Sequence, residues 1–379
     1  MPDRPRPVVV FGAGATKDCG GPLTDEILLH GLQGFRSVPR PHAYEREDFF
    51  GTVEHFLTES FHLPPYREKL EKHHFPSLPL LLSLIDTAID RGQPLGGRSP
   101  EQLREVRGAI EYLMFAVLQE HLRGLPANNS YGRFLVALAR RFDIAPRVIT
   151  LNYDLIADGV LFDMAVQASK RGGLHRLPDY DCEIATEAYA KRPHDYGLLL
   201  KLHGSLNWLY CPDCQRLDIG LSAEGSRLQT RKVLDDLYRE VNLHDRYSCR
   251  GAPCVRCGTD VRPVLITPTH RKDYRNPHIA RVWYRAEQVL REATDVFLIG
   301  YSLPADDVEV IYLLKRGLAG SKAKITVVQY DPGKKLTESE VGQRYRSLFG
   351  DRITWWNEGF GTWVTAFEKN KRPKRRSQK

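Results

Sequence analysis

The chain has 379 residues, 42% hydrophobic and 27% charged, enough for one large domain or two modest ones with a real core. Its formal net charge is +8, but Lys369–Lys379 alone holds seven Lys or Arg and no acid. The body is therefore close to neutral, which excludes a broad nucleic-acid-binding face and leaves only the tail for such contacts. There is no apolar run of about 18 residues, so no transmembrane helix or membrane partner is expected. The opening Met1-Pro2-Asp3-Arg4-Pro5-Arg6-Pro7 leads straight into a strand, and no signal peptide is expected. Seven cysteines without a secretion signal predict a reduced, cytoplasmic protein with metal-bound thiolates rather than a disulfide framework.

Val8–Phe11 is a continuous apolar run broken at Gly12, the pattern of a buried parallel strand. Gly12-Ala13-Gly14-Ala15-Thr16 follows. Small residues there let backbone N–H groups approach a pyrophosphate, and the Thr16 hydroxyl can donate to it. Lys17 stands where a third glycine of the common dinucleotide fingerprint would be, so alone the motif reads equally as a plain turn. A helix is predicted from about Thr24. From about Tyr44 to Phe142 the chain reads as helices, with Leu103, Val106, Ile110, Leu113, Met114, Val117 and Leu118 at helical spacing. Breaks fall near 92–97 and at Pro126–Ser130. This stretch, bounded as 40–145, is expected to be a helical insertion whose apolar stripes are core.

Strands return at Arg147–Leu151 and Leu198–Leu202. The first ends in Asn152-Tyr153-Asp154 and the second in His203-Gly204. Both sets lie past strand ends, where open α/β sheets bind ligands. Cys211-Pro212-Asp213-Cys214 and Cys254-Val255-Arg256-Cys257 are paired knuckles that suit one tetrahedral zinc ion, structural because four thiolates complete its shell. Cys249 is a spare that competes with Cys254, and free thiols or a redox pair remain as alternatives. Further strands are predicted at Val264–Thr267, Thr294–Ile299, Lys324–Val328 and Arg352–Trp356, with helices at Ile279–Glu292 and Val308–Leu318 between them. The alternation predicts an α/β fold with a parallel, Rossmann-like sheet.

Taken in order, Gly12–Thr16, Asn152-Tyr153-Asp154, Leu202-His203-Gly204 and the knuckles resemble the sirtuin superfamily. The resemblance covers about 8–22, 147–160, 198–214 and 254–333. It implies a sirtuin-type sheet and NAD as substrate, with Gly12, Ala13, Gly14, Ala15 and Thr16 at the phosphates. Asn152 and Asp154 would hold ribose and water, and His203 would act as base. It further implies that Gly300, Tyr301 and Ser302 meet the adenosine-side ribose and phosphate, and that Gln329 and Asp331, in place of the usual Asn, face ribose and adenine. The chemistry is coherent with these residue types. An amide offers donor and acceptor, a carboxylate can stand near a developing cation, and an imidazole can take a proton near neutral pH.

Three stretches depart from the protein-deacylating members. Gly21-Pro22-Leu23-Thr24-Asp25 replaces a Pro-Asp-Phe-Arg-like run. Asn152-Tyr153-Asp154-Leu155-Ile156 replaces Asn-Ile-Asp-Gly-Leu-His. Leu265-Ile266-Thr267-Pro268-Thr269-His270-Arg271-Lys272 stands where a Phe-Gly-Glu segment pairs with acyl-lysine peptide. The pattern resembles the sirtuin-like NAD hydrolases of bacterial anti-phage defence. It implies a triggered NAD-depleting enzyme, a homo-oligomer and a regulatory ATPase or other defence partner. The alternatives are an NAD-dependent deacylase or ADP-ribosyltransferase, and a non-catalytic NAD or ADP-ribose sensor. The expected organisation is a catalytic domain over 1–206 and 259–368, the insertion at 40–145, a zinc module at 207–258 and a disordered basic tail at 369–379.

Overall fold

The computed structural model describes residues 5–37, 47–64, 68–122, 125–126, 128–168, 178–185, 197–219, 223–224, 227–228, 254–259, 261–269, 272 and 274–369. Cys249 and positions 370–379 lie outside the described residues, as does most of the expected zinc module between its knuckles.

Six parallel strands form the main sheet: β1 (Pro7–Phe11), β2 (Arg147–Thr150), β3 (Leu198–Lys201), and β9 (Asp295–Ile299), β10 (Lys324–Val328) and β11 (Ile353–Trp356). Their order is β11-β10-β9-β1-β2-β3, with β1 paired to β2 through Val10 and Ile149 and to β9 through Val10 and Leu298. β1 is apolar throughout because it is covered on both faces, and Val8 to Phe11 are at most 1% exposed. Chain order runs outward from β1 in one direction and from β9 in the other. Right-handed crossovers therefore place α6 (Ser130–Phe142) and α7 (Ile156–Ala168) on one face. They place α9 (Val308–Gly317) and α10 (Glu340–Phe349) on the other. α8 (Pro277–Arg291) packs on α9, and α11 (Phe360–Lys369) packs on α6. Phe11, Tyr131, Phe134, Phe297, Phe360, Trp363 and Phe367 interlock with mostly edge-on or tilted rings on the α6 face. The expected parallel, doubly wound α/β sheet is present.

The helical layer has a core of its own. It is built by α2 (Ile27–Ser37), α3 (Glu47–Phe61), α4 (Leu78–Arg91) and α5 (Pro100–Leu122), which follow the one-turn-and-a-half α1 (Ala13–Asp18). Leu32, Phe56, Leu57, Leu81, Leu82, Ile85, Val106, Ile110 and Leu113 are fully buried there. The stripe read as core is core. Its limits differ from 40–145: the cluster begins at Ile27, and α6 packs into the sheet's core instead. Periodicity identifies a helix but not the layer it joins. Ser77 accepts from Leu80 N at the start of α4, and Asn129 from Gly132 N at the start of α6.

A second, antiparallel sheet has the order β5-β4-β8, from β4 (Gly204–Tyr210), β5 (Leu217–Ile219) and β8 (Arg262–Leu265). The predicted strand near 264 thus belongs here, not in the parallel sheet. A two-stranded ribbon joins β6 (Ala223–Glu224) to β7 (Arg227–Leu228). Lys369, expected in the basic tail, is the last residue of α11. Among the described residues no helix is long and apolar enough to cross a membrane.

Candidate functional site

The loops after β1, β2, β3 and β9 meet where the strand order reverses about β1, the place where doubly wound sheets open a crevice. The two glycine loops face each other across it. Gly14 N donates to Gly300 O at 2.7 Å, Gly12 N to Ile299 O at 2.9 Å and Ala15 N to Gly12 O at 3.0 Å. Three N–H groups expected to cradle phosphate are therefore bonded within the protein. A Cβ on Gly300, whose φ is +66°, would stand 2.1 Å from Ala15 N. Gly300→Ala should push the loops apart and destabilise the fold by at least about 2 kcal/mol, read as a lower midpoint in thermal or urea unfolding.

Thr16 departs from its expected place at a phosphate. It is 2% exposed and turned inward, donating to Asp154 Oδ2 at 2.7 Å. Asn152 lies over it, with Nδ2 directed at Gly12 O (3.0 Å), Thr16 Oγ1 (2.9 Å) and Tyr131 OH (3.2 Å). Gly12 O can only accept, so the amide orientation follows, and Oδ1 is the amide atom left to accept from a ligand. Asp154 Oδ1 accepts from Ile156 N at 3.0 Å. Burial is the main reason its carboxyl pKa is raised, opposed by Lys201 and the Thr16 bond. Tyr131, from α6, was invisible to sequence reading. Burial, with the Asp154 charge, pushes its phenol well above the usual range.

His203 follows β3 and is 8% exposed. Its Nδ1 faces Leu151 O at 3.2 Å, which places the ring proton on Nδ1. Nε2 is then an acceptor, and it is buried with no partner. The ring lies between Tyr153 and Trp283, at centroid distances of 6.3 and 6.4 Å. Burial lowers its pKa to about 4, partly offset by Asp307 and reinforced by Lys272. The imidazole is thus neutral across the physiological range, not poised near neutrality as its residue type alone suggests. The unfolded chain binds this proton more tightly than the folded one. Stability from His203 is present above pH about 6.5 and lost as pH falls towards 4, about 3 kcal/mol in all. Urea unfolding across that range should show the slope in the wild type and its loss in His203→Gln.

Around His203 the structure adds Lys272, Asp307 and Tyr274, to which no motif gave a role, and sets Tyr301 against Asp307. Lys272 Nζ bonds Asp307 Oδ1, and Tyr301 OH donates to Asp307 Oδ2 at 2.6 Å. Tyr274 packs on Trp283 at 4.9 Å, and its buried hydroxyl has no partner. Of the remaining expected contacts, Ser302 is exposed and its carbonyl accepts from Arg344 Nε at 3.1 Å. Gln329 donates through Nε2 to Tyr301 O at 2.6 Å, and Asp331 pairs with Lys334 at 3.1 Å. Gln329 thus supports the Tyr301 loop from below.

The four knuckle cysteines come together. Sγ atoms of Cys211, Cys214, Cys254 and Cys257 lie within 4.8 Å of one another, with Cys211–Cys257 at 3.3 Å and Cys214–Cys254 at 3.6 Å. A tetrahedral zinc with Zn–S near 2.3 Å wants sulfurs about 3.8 Å apart, which this cluster meets closely. Each knuckle is closed by a matching turn: Cys211 N to Arg216 O at 2.9 Å, Cys254 N to Thr259 O at 2.8 Å. An all-sulfur tetrahedron fits zinc and leaves no open position for substrate.

No family model matches the chain, and no curated protein does. Among solved structures it is similar to one described under the mechanism and regulation of Sir2 enzymes, at 14% identity and a TM-score of 0.42, covering 96% of this chain and 92% of that one. A mutant Sir2 homologue in complex with 2'-O-acetyl ADP ribose aligns at 13% identity and TM-score 0.43, covering 96% and 90%. A Sir2 homolog–NAD complex aligns at 14% and 0.41, covering 96% and 88%.

Proposed function

We propose that this chain is a sirtuin-like NAD glycohydrolase, splitting NAD into nicotinamide and ADP-ribose. The observation that carries the reading is the pair of unpaired acceptors past neighbouring strands: Asn152 Oδ1 after β2 and the partnerless Nε2 of His203 after β3. A ribose diol presents two donors, which two acceptors can hold. The bond between C1′ and the nicotinamide nitrogen breaks, and its electron pair neutralises the departing ring. Water forms the new C1′–O bond, and its proton passes by way of the ribose hydroxyl held at His203 Nε2 to that nitrogen and on to solvent. A weak base suffices, because water bound to an oxocarbenium-like carbon is strongly acidic.

The acceptor is water in this reading because the segment after β8 is already engaged. Ile266 N donates to His203 O at 2.9 Å, Ile266 O accepts from Tyr153 OH at 2.6 Å, and Thr267 Oγ1 accepts from Arg107 at 2.7 Å. The amide and carbonyl of Ile266 are thus not free to pair with an acyl-lysine peptide. Biologically the proposal is a triggered, NAD-depleting effector of anti-phage defence. We include in it the cytoplasmic location, the homo-oligomer and an ATPase or other defence partner, with nucleic acid met only through the tail.

Incubating the purified protein with NAD tests the reaction. Equal amounts of nicotinamide and ADP-ribose without any peptide are expected. Turnover that requires acyl-lysine peptide and yields acylated ADP-ribose would establish the deacylase instead. Tight NAD binding with no product of either kind, together with unchanged total NAD in cells under activating conditions, would establish the sensor.

A further inference from the structure

β3 reads Leu198-Leu199-Leu200-Lys201, and the lysine is as buried as the leucines beside it, with its side chain fully inaccessible. A charge in the interior of a parallel sheet is costly unless it does something an apolar residue cannot. Lys201 Nζ meets Asp158 Oδ2 at 2.8 Å, itself fully buried, and Tyr180 OH donates to the other carboxylate oxygen at 2.6 Å. The third contact is different in kind: Nζ donates to the backbone carbonyl of Asp154 at 2.6 Å. That bond is one of a set. Leu202 N donates to Thr150 O at 3.0 Å, His203 Nδ1 to Leu151 O at 3.2 Å and Leu206 N to Tyr153 O at 3.1 Å. The segment 201–206 thus holds the loop 150–154 by four of its five carbonyls, and Asn152 sits at the middle of the grip.

We propose that Lys201 is a positioning residue: its bond to Asp154 O, charge-neutralised by Asp158, sets the loop that carries Asn152 and Asp154 against the one that carries His203. The catalytic part of this inference rests on the NAD reading above; the structural part does not. Lys201 touches no substrate and acts only through that loop.

The test removes the polar network whole. In Lys201→Met/Asp158→Leu/Tyr180→Phe the Lys201–Asp158 pair goes together, so neither partner is stranded, and Tm should fall far less than in Lys201→Met alone. Asp154 O loses its donor, and the Asp154 carboxyl loses the nearby Lys201 charge. Amide hydrogen exchange in the segment 150–156 should become about tenfold faster. NAD turnover should fall by about 10²-fold in kcat with little change in KM. The single variant Asp158→Asn keeps the lysine and its bond to Asp154 O. It should lower Tm while leaving kcat and the protection of 150–156 near wild type.

A folded triple variant with wild-type exchange at 150–156 overturns the proposal. So does loss of protection in Asp158→Asn in step with its Tm, which decides the matter if the triple variant does not fold. If the wild type hydrolyses no NAD either purified or in cells under activating conditions, the functional reading fails, and the exchange measurements still decide the role of Lys201.

Discussion

His203→Ala is expected to cut NAD hydrolysis by between about 10² and 10⁴-fold while leaving the fold intact. Nε2 has no protein partner to lose, and Nδ1 makes a single, long bond of 3.2 Å to Leu151 O. Removing the ring therefore deletes an acceptor from the site and one of the four bonds that hold the 150–154 loop. Asn152→Ala should reduce turnover by about 10²-fold or more, through loss of the Oδ1 acceptor. It will not be silent structurally. Its Nδ2 serves Gly12 O, Thr16 Oγ1 and Tyr131 OH, and stripping that amide from a buried network costs about 1–3 kcal/mol. The two variants should thus separate: similar losses of rate, with the larger drop in unfolding midpoint for Asn152→Ala. Nicotinamide release and thermal melts on the same preparations check both halves. Unchanged turnover in His203→Ala would remove the proposed base.

Metal removal should have the other large effect. One zinc per chain is expected on Cys211, Cys214, Cys254 and Cys257, read by elemental analysis of protein prepared without chelators. Structural zinc contributes on the order of 10 kcal/mol to small sites of this kind. Cys211→Ser, or prolonged chelation, should unfold the knuckles and expose the small apolar cluster of Phe115, Leu206, Cys211, Cys254 and Val261 beneath them. β4 begins at Gly204, next to His203, so turnover should fall with the zinc although no cysteine touches substrate. Metal-free protein with a normal melt and normal turnover would contradict this.

The strands of the parallel sheet were legible because burial on both faces writes them as unbroken apolar runs, as in Val8–Phe11 and Val296–Ile299. The knuckles were legible because ligand geometry imposes their spacing. β4 was not, since the polar–apolar alternation of Ser205-Leu206-Asn207-Trp208 is only four residues long and both faces are buried. α10 and α11 were missed too, although Tyr345, Trp363 and Val364 are buried in the sheet's core. The positions of Asn152, Asp154 and His203 past strand ends could be read from order alone. Their partners could not. Tyr131 reaches Asn152 from 21 residues upstream, and Asp307 reaches Lys272 across a helix and a strand. Such contacts are made by tertiary packing and leave no local pattern. The inward turn of Thr16 is of the same kind, since a hydroxyl beside a glycine loop looks the same in sequence whether it faces ligand or carboxylate.

The central strand pairs on one side with a segment almost three hundred residues later, Pro7 beside Asp295. During synthesis the first strand leaves the ribosome long before that partner exists. At typical elongation rates of about 5–20 residues per second, it waits roughly 15–60 seconds with one edge unsatisfied. The glycine loop after it cannot settle until Gly300 arrives to face it. A nascent or prematurely terminated chain therefore has helices and a half sheet but no crevice, and such low-locality pairing is slow to form even in the full chain. On the reading proposed above, an enzyme that would drain the cell's NAD is in this way harmless while it is being made.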